Sequence, residues 1–258
     1  MRFVIYLFVR KDNIMPVQDR YSHFVKDQKT FFDELITEDW DTYDIPAWDY
    51  TRTFEIQKLF ERVKPARILD VGCGVGFHDA VMAGYPFVER VDAFDYSEQS
   101  ILRANLEYPH PKINRTTSDF ATYKTEYDYD LVVSFQVIEH LSEPKEYFRF
   151  CADACKPQGV VAICTPNRLR WDNRILAIKG QPLGLIDVMH FHEYTAREIF
   201  EMGRQFDLKP AAWFGHSLYI SSSWGSVQSA KWSYHKRTKL GYLFPYFAQV
   251  ICVLMRKT

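Results

Sequence analysis

Cysteine is scarce in this chain. Five are spread over 258 residues (Cys73, Cys151, Cys155, Cys164 and Cys252), and their spacing forms no disulfide framework of the secreted kind. Cys151 and Cys155 stand four apart with no histidine nearby, so they read as buried thiols on a helix face and not as metal ligands. Long apolar runs are missing as well. Residues 3–9 form an apolar stretch far short of a bilayer span. No small-residue cleavage site follows it, which argues against a signal peptide. It reads as a short strand or an extension, and Met15 is an alternative start. The net charge is −1, so no global field recruits nucleic acid. The expected setting is a reducing cytoplasm, and the expected organisation is one large domain or a domain with a cap.

Glycine is also sparse, at 11 residues, yet three fall together in "RILDVGCGVG", residues 67–76. An apolar run ends in Asp70, and Gly72, Gly74 and Gly76 follow at alternate positions. This is the pattern of a strand entering a tight turn beneath a ligand, where glycine permits strained dihedrals and close backbone approach. Aromatic residues, at 16%, are abundant enough to line a pocket or a lid.

From residue 67 onward, short apolar runs alternate with amphipathic stretches. Residues 67–71, 90–95, 129–135 and 159–165 read as strands. Residues 77–85, 97–107, 144–155 and 195–206 read as helices, with Ser97 and Thr195 as N-caps and Pro144 in a first turn. Residues 208–214 and 248–257 are suited to close the sheet as a hairpin pair. Residues 20–64 read as helical. Strand–helix alternation implies a mostly parallel sheet covered on both faces, with ligands at the carboxyl ends of the strands.

The spacing discriminates between nucleotides. A dinucleotide site needs G-x-G-x-x-G, and a phosphate loop needs G-K-[ST]; neither is present. Asp95 ends the second strand, 19 residues past Gly76, where a carboxylate can take both hydroxyls of a ribose. Ser118, Asp119 and Phe120 follow, with an acceptor for an exocyclic amine and a ring to cover a purine. Together these describe an adenosine site without a phosphate.

These pieces, "ILDVGCGVG", "VDAFDYSEQSI", "TSDF", "YDLVVSFQVIEHLSEP" and "CKPQGVVAICTPN", resemble the class I S-adenosylmethionine-dependent methyltransferases over about residues 55–215. The resemblance implies a Rossmann-like α/β fold of seven strands, mostly parallel, with the last strand antiparallel. It implies S-adenosyl-L-methionine as cofactor. Asp70, Gly72 and Gly74 would surround its methionine portion, Asp95 would hold its ribose and Asp119 would meet its adenine, with Cys73, Gly76 and Ser118 also among the cofactor-binding residues. Tyr96 and Phe120 would flank the ring, and residues 135–140, starting with Phe135 and Gln136, would line the cofactor and the acceptor opening. Residues 1–60 are expected to form a helical cap over a catalytic domain at 61–258, with inserts near 167–192 and 216–244.

The acceptor side is less defined. "VIEHLSEP" resembles ubiquinone-type O-methyltransferases and a wider set of sugar and lipid methyltransferases. Some such relatives carry E-x-x-E-H, which can hold a divalent metal. Here Gln136 occupies the first position, and an amide is a poor substitute for a carboxylate at a hard cation, so no metal is expected. Methyl transfer to a hydroxyl benefits from a general base. His140 and His190 are the leading candidates, with His192 and Glu193 also available. Arg168, Arg170 and Arg174 are candidates for a phosphate or carboxylate. Basic and aromatic residues interleave over 224–242, which suits a membrane surface or a lipid-linked acceptor. Residues 33–50 carry seven acids and no Lys or Arg, which suits an amine. The expected activity is therefore O-methylation of a small-molecule acceptor. An N-methyltransferase and a cofactor-binding scaffold without turnover remain the alternatives, and the oligomeric state is open.

Overall fold

The computed structural model describes residues 28–44, 46–187, 189–220 and 233–258. Its centre is one seven-stranded sheet in the order β3-β2-β1-β4-β5-β7-β6. The strands are β1 (Arg67–Val71), β2 (Arg90–Asp95), β3 (Ile113–Thr117), β4 (Tyr129–Phe135), β5 (Cys155–Pro166), β6 (Leu208–His216) and β7 (Val250–Lys257). Strands β1 to β5 pair in parallel, and β7 runs antiparallel to both β5 and β6. The expected α/β sheet with an antiparallel last strand is therefore present. No helix among the described residues is long and apolar enough to cross a membrane.

The central strands are apolar on both faces because helices cover both, so their side chains sort into two cores. On one face Leu69, Val132, Val161, Ile163 and Val253 pack with Tyr147 and Phe148 of helix α5 (Lys145–Ala154) and Ile199 of helix α7 (Ala196–Gly203). On the other, Ile68, Val91, Leu131 and Val133 pack with Met82 of helix α3 (Phe77–Ala83) and Ile56, Leu59 and Phe60 of helix α2 (Ala47–Phe60). Helix α2, assigned to the cap from sequence, thus contributes to the core of the sheet. Helix α4 (Glu98–Glu107) opens with the expected Ser97 cap, whose side chain accepts from the Ser100 amide, and Thr195 opens α7 with a full capping box.

Several features were absent from the sequence reading. Strand β3, INRTT, is polar and half-exposed, so it carries no apolar signature. Helices α6 (Trp171–Ile178) and α8 (Tyr234–Leu243) lie inside the two inserts. Cys164 and Cys252 are direct cross-strand partners on β5 and β7 and are joined as a disulfide, a pairing the sequence does not announce, while Cys151 and Cys155 are buried thiols as expected. The amino-terminal 27 residues and residues 221–232, where a strand and the first half of the basic aromatic segment 224–242 were expected, lie outside the described residues.

Candidate active site

Strand β1 delivers Asp70 to the carboxyl edge of the sheet and the chain turns there through three glycines, all at positive φ. Each glycine has a different reason. At Gly72 a Cβ would lie 2.6 Å from Val137 Cγ2. At Gly76 it would lie 2.8 Å from Ala104 and against the Arg115 guanidinium, so this glycine serves helix packing at the start of α3. At Gly74 nothing lies within 4 Å, so this one faces open space. Of the three, Gly74 is the one that leaves room above the turn. Cys73 beside it is buried, with its thiol pushed well up by burial.

Asp70 is fully buried, and neither carboxylate oxygen has a hydrogen-bond partner. Burial, then repulsion from Asp79 and Asp95, holds its carboxyl well above the usual range. An unpartnered buried carboxylate is costly unless a cation arrives. The α-ammonium of S-adenosylmethionine is such a cation, so the residues present fit that cofactor. Asp95 accepts from Gly74 N at 3.0 Å through one oxygen and from Ser97 N at 2.9 Å through the other. Burial raises its carboxyl to about 6. Both oxygens keep lone pairs for a diol. Asp119 caps its own turn, accepting from the amides of Ala121 and Thr122, and the Ser118 hydroxyl lies 3.1 Å from that of Thr122. Phe120 packs on the α5 core, 6.1 Å from the Tyr147 ring centroid.

An amino-terminal helix packs against this edge. Helix α1 (Gln28–Glu34) sends Asp33 to the Ser97 hydroxyl at 2.5 Å and Gln28 to the Met189 carbonyl at 3.1 Å. Phe32 lies edge-on to both Tyr96, at 6.4 Å, and His140, at 5.4 Å. Phe135, at the end of β4, stacks flat on His78 at 3.9 Å, and His78 in turn sits 3.6 Å from the buried Glu55. Gln136 follows at φ 58° with its side chain exposed.

Beyond β4 three side chains converge. Glu139, His140 and His190 each offer a donor atom, all within 4.8 Å of one another. Glu139 is fully buried. Its Oε2 accepts from Thr165 Oγ1 at 2.8 Å, while Oε1 and His140 Nδ1 are buried without partners. Burial lifts the Glu139 carboxyl to about 7. Burial, reinforced by His190, drops His140 to about 3. For His190 burial acts downward, but its hydrogen bond to Glu193 and the charges of Glu139 and Asp187 outweigh it, and its pKa is raised. The two imidazoles meet edge-on at 4.8 Å. The expectation of no metal rested on Gln136 and counted only the E-x-x-E-H positions. His190, from a distant insert, is a third donor that the count omitted.

The arginines of the insert are largely committed. Arg170 pairs with Glu193 in the interior, Arg174 donates to the carbonyls of Leu169 and Tyr246, and Arg168 meets Glu198 at 3.0 Å. Arg168 lines a shallow pocket of about 200 Å³ with Leu183, Leu185, His192 and Glu193.

The sheet order, the glycine turn and the acidic strand ends define the class I methyltransferase fold. Residues 51–212 match the family described as methyltransferase domain, and the chain belongs to that family. A probable S-adenosylmethionine-dependent methyltransferase of Mycolicibacterium smegmatis is 29% identical over 57% of this chain and 53% of its own length. The chain thus spans about half the length of that relative. A ubiquinone biosynthesis O-methyltransferase of Neisseria meningitidis is 32% identical over 60% of this chain and 69% of its own. Among solved structures, a putative methyltransferase in complex with the Haloferax volcanii Trm112 activator superposes with a TM-score of 0.62, at 14% identity, over 87% of this chain and 96% of that one. The magnesium protoporphyrin IX methyltransferase of Synechocystis, with bound S-adenosylhomocysteine, gives 0.60 at 14% identity over 90% and 100%. At such identity the structures show the shared fold.

Proposed function

We propose that the protein transfers a methyl group from S-adenosylmethionine to a hydroxyl of a small, partly apolar acceptor, with His190 as the general base. The bound cofactor supplies a methyl group already activated on a sulfonium. The chain's own residues therefore have to hold both partners, exclude water and remove one proton. Asp70, Gly74 and Asp95 are the residues that would hold the cofactor. The cap helix, through Phe32, shields the edge from solvent.

The observation that carries the hydroxyl reading is the Glu139–His140–His190 cluster. Its unpartnered buried atoms suit a guest that both donates and accepts hydrogen bonds, as a hydroxyl does. Between the imidazoles, His190 is the better base. A group held near pKa 3, as His140 is, has little appetite for a proton at neutral pH. The pKa of His190 is raised, so it is the more basic of the two rings. This departs from the sequence reading, which favoured His140.

The acidic segment suits an amine acceptor less well than its composition suggests. Asp33 pairs with Lys29, Asp44 and Asp49 with Arg52, and Asp41 with Arg103. An apolar portion of the acceptor is supported by the surface beside the insert, where Ile178 is 82% exposed and Tyr246 63%. Such a surface also suits a lipid-linked acceptor presented at a membrane. The test is an acceptor screen with isotope-labelled S-adenosylmethionine read by mass spectrometry. Label on the oxygen of an apolar alcohol or phenol supports the reading. Label appearing only on amines, or on no acceptor, overturns it.

A further inference from the structure

The insert between β5 and α7 folds around a buried charge chain. Glu193 is 1% exposed and Arg170 5%. One Glu193 oxygen accepts from the Arg170 guanidinium. The other accepts from Ile186 N at 2.5 Å and faces His190 Nδ1 at 3.1 Å. Arg170 also donates to the Gly184 carbonyl at 2.6 Å. These contacts run from the start of the insert to its end and close it on itself. The far end is then tied to the site: Phe191 N donates to the Glu139 carbonyl at 2.8 Å.

An ionised carboxylate only accepts hydrogen bonds. Glu193 acts as an acceptor through both oxygens, from the Arg170 guanidinium at one and from the Ile186 amide at the other. A neutral imidazole against it must therefore carry its proton on Nδ1, which leaves the lone pair on Nε2. A buried ion pair is an expensive way to fold a loop, since an apolar pair of similar volume is often as stable. Its geometry here has a use that an apolar pair could not supply.

We propose that Glu193 is a positioning residue that holds His190 in the Nδ1-protonated tautomer with Nε2 free to take a proton, and that the Arg170–Glu193 pair makes the insert the carrier of this base. The proposal rests on the reading of the site as one that deprotonates a hydroxyl. Glu193 does not meet the acceptor; it acts through His190. His140, whose Nδ1 has no partner, lacks any such orienting carboxylate, which separates the roles of the two neighbouring rings.

The experiment is long-range ¹H–¹⁵N correlation spectroscopy on the full chain labelled at histidine nitrogens, above neutral pH, with His190 assigned by loss of its signals in His190→Gln. Wild-type His190 is expected to show the Nδ1-protonated pattern. Finding it in the Nε2-protonated form, or averaged between the two, overturns the proposal without recourse to any variant. Glu193→Gln is expected to release the ring to a tautomer mixture. Glu193→Asp, which keeps the charge but withdraws it by one methylene, is expected to restore part of the preference. A preference unchanged in both variants would also overturn it. With a hydroxyl acceptor from the screen, Glu193→Gln should lower kcat at least tenfold and leave KM for S-adenosylmethionine within twofold; a change confined to KM counts against positioning. An amine-only result in that screen would remove the O-methyl reading while leaving the tautomer result to be judged separately.

Discussion

Arg115 grips Asp79 with two nearly parallel hydrogen bonds, Nε to Oδ2 and Nη2 to Oδ1, each 2.8 Å. The side chains are 2% and 0% exposed, and the guanidinium lies where a side chain at Gly76 would have to go. The pair joins β3 to α3 directly beneath the glycine turn. Removing one partner leaves a buried charge uncompensated, which costs about 3–5 kcal/mol. Arg115→Met is therefore expected to lower stability by that amount in urea or thermal unfolding, and Asp79→Asn on top of it should recover part of the loss. A loss below about 1 kcal/mol would contradict a buried, unscreened pair.

Asp70→Asn should act in opposite directions on stability and on binding. In the free protein the folded carboxyl stays protonated to a higher pH than in the unfolded chain. The unfolded state therefore releases its proton first, and native stability falls as pH rises from about 4 through the folded value. An amide removes that penalty, so the variant without cofactor should be more stable at pH 7. Its affinity for S-adenosylmethionine should fall tenfold or more, because the ammonium loses its carboxylate. Calorimetry and thermal unfolding on one preparation decide both halves. A variant that is less stable and binds normally would remove Asp70 from the methionine site.

Turnover should climb with pH. His190 works as a base only when neutral, and its pKa lies above the ordinary value of 6.5. The ascending limb of kcat is thus expected to be centred above 6.5. His190→Ala should cost about 10²–10⁴-fold in rate, the usual range for loss of a general base. His140→Ala should cost less than about tenfold. The reverse order would return the base to His140.

Chelation should leave activity in place. Glu139 is the only carboxylate of the three-donor cluster, and hard cations such as Mg²⁺ prefer several oxygens. A pair of imidazoles with one carboxylate suits softer ions, so added Zn²⁺ is expected to inhibit, competitively with the acceptor. Activity abolished by a chelator and restored by Mg²⁺ would assign the cluster to a catalytic metal.

What could be read from sequence tracks how local the signal is. The β1 turn was legible because glycine is rare here and three are clustered, and Asp70 and Asp95 stand at strand ends whose apolar runs are plain. Ser97 and Thr195 announce their helices within four residues. Strand β3 was not legible, since a polar edge strand lacks the alternation that a half-buried one shows. The Cys164–Cys252 pair became visible only once β7 was seated beside β5. Glu193 and His190 were individually noticed, three residues apart. Arg170, the partner of Glu193, lies 23 positions earlier, and its sequence reading as a ligand for an anion gives way to an interior counter-ion.

The strand order carries a consequence for synthesis. Strand β6 touches the sheet only through β7, which is made at least 34 residues later. A nascent chain therefore emerges with β1 to β5 able to pair and with the flank of β5 bare. Strand β5 ends at Pro166 and β7 begins at Val250, so at ~5–20 residues per second that flank stays open for roughly 4–17 s before β7 fills it and gives β6 a place to dock. An unpaired apolar strand is a template for joining another chain. Ribosome-bound intermediates of this protein should be most prone to co-aggregate in that interval, and a stall between residues 216 and 250 should leave an otherwise complete cofactor turn attached to an unfinished sheet.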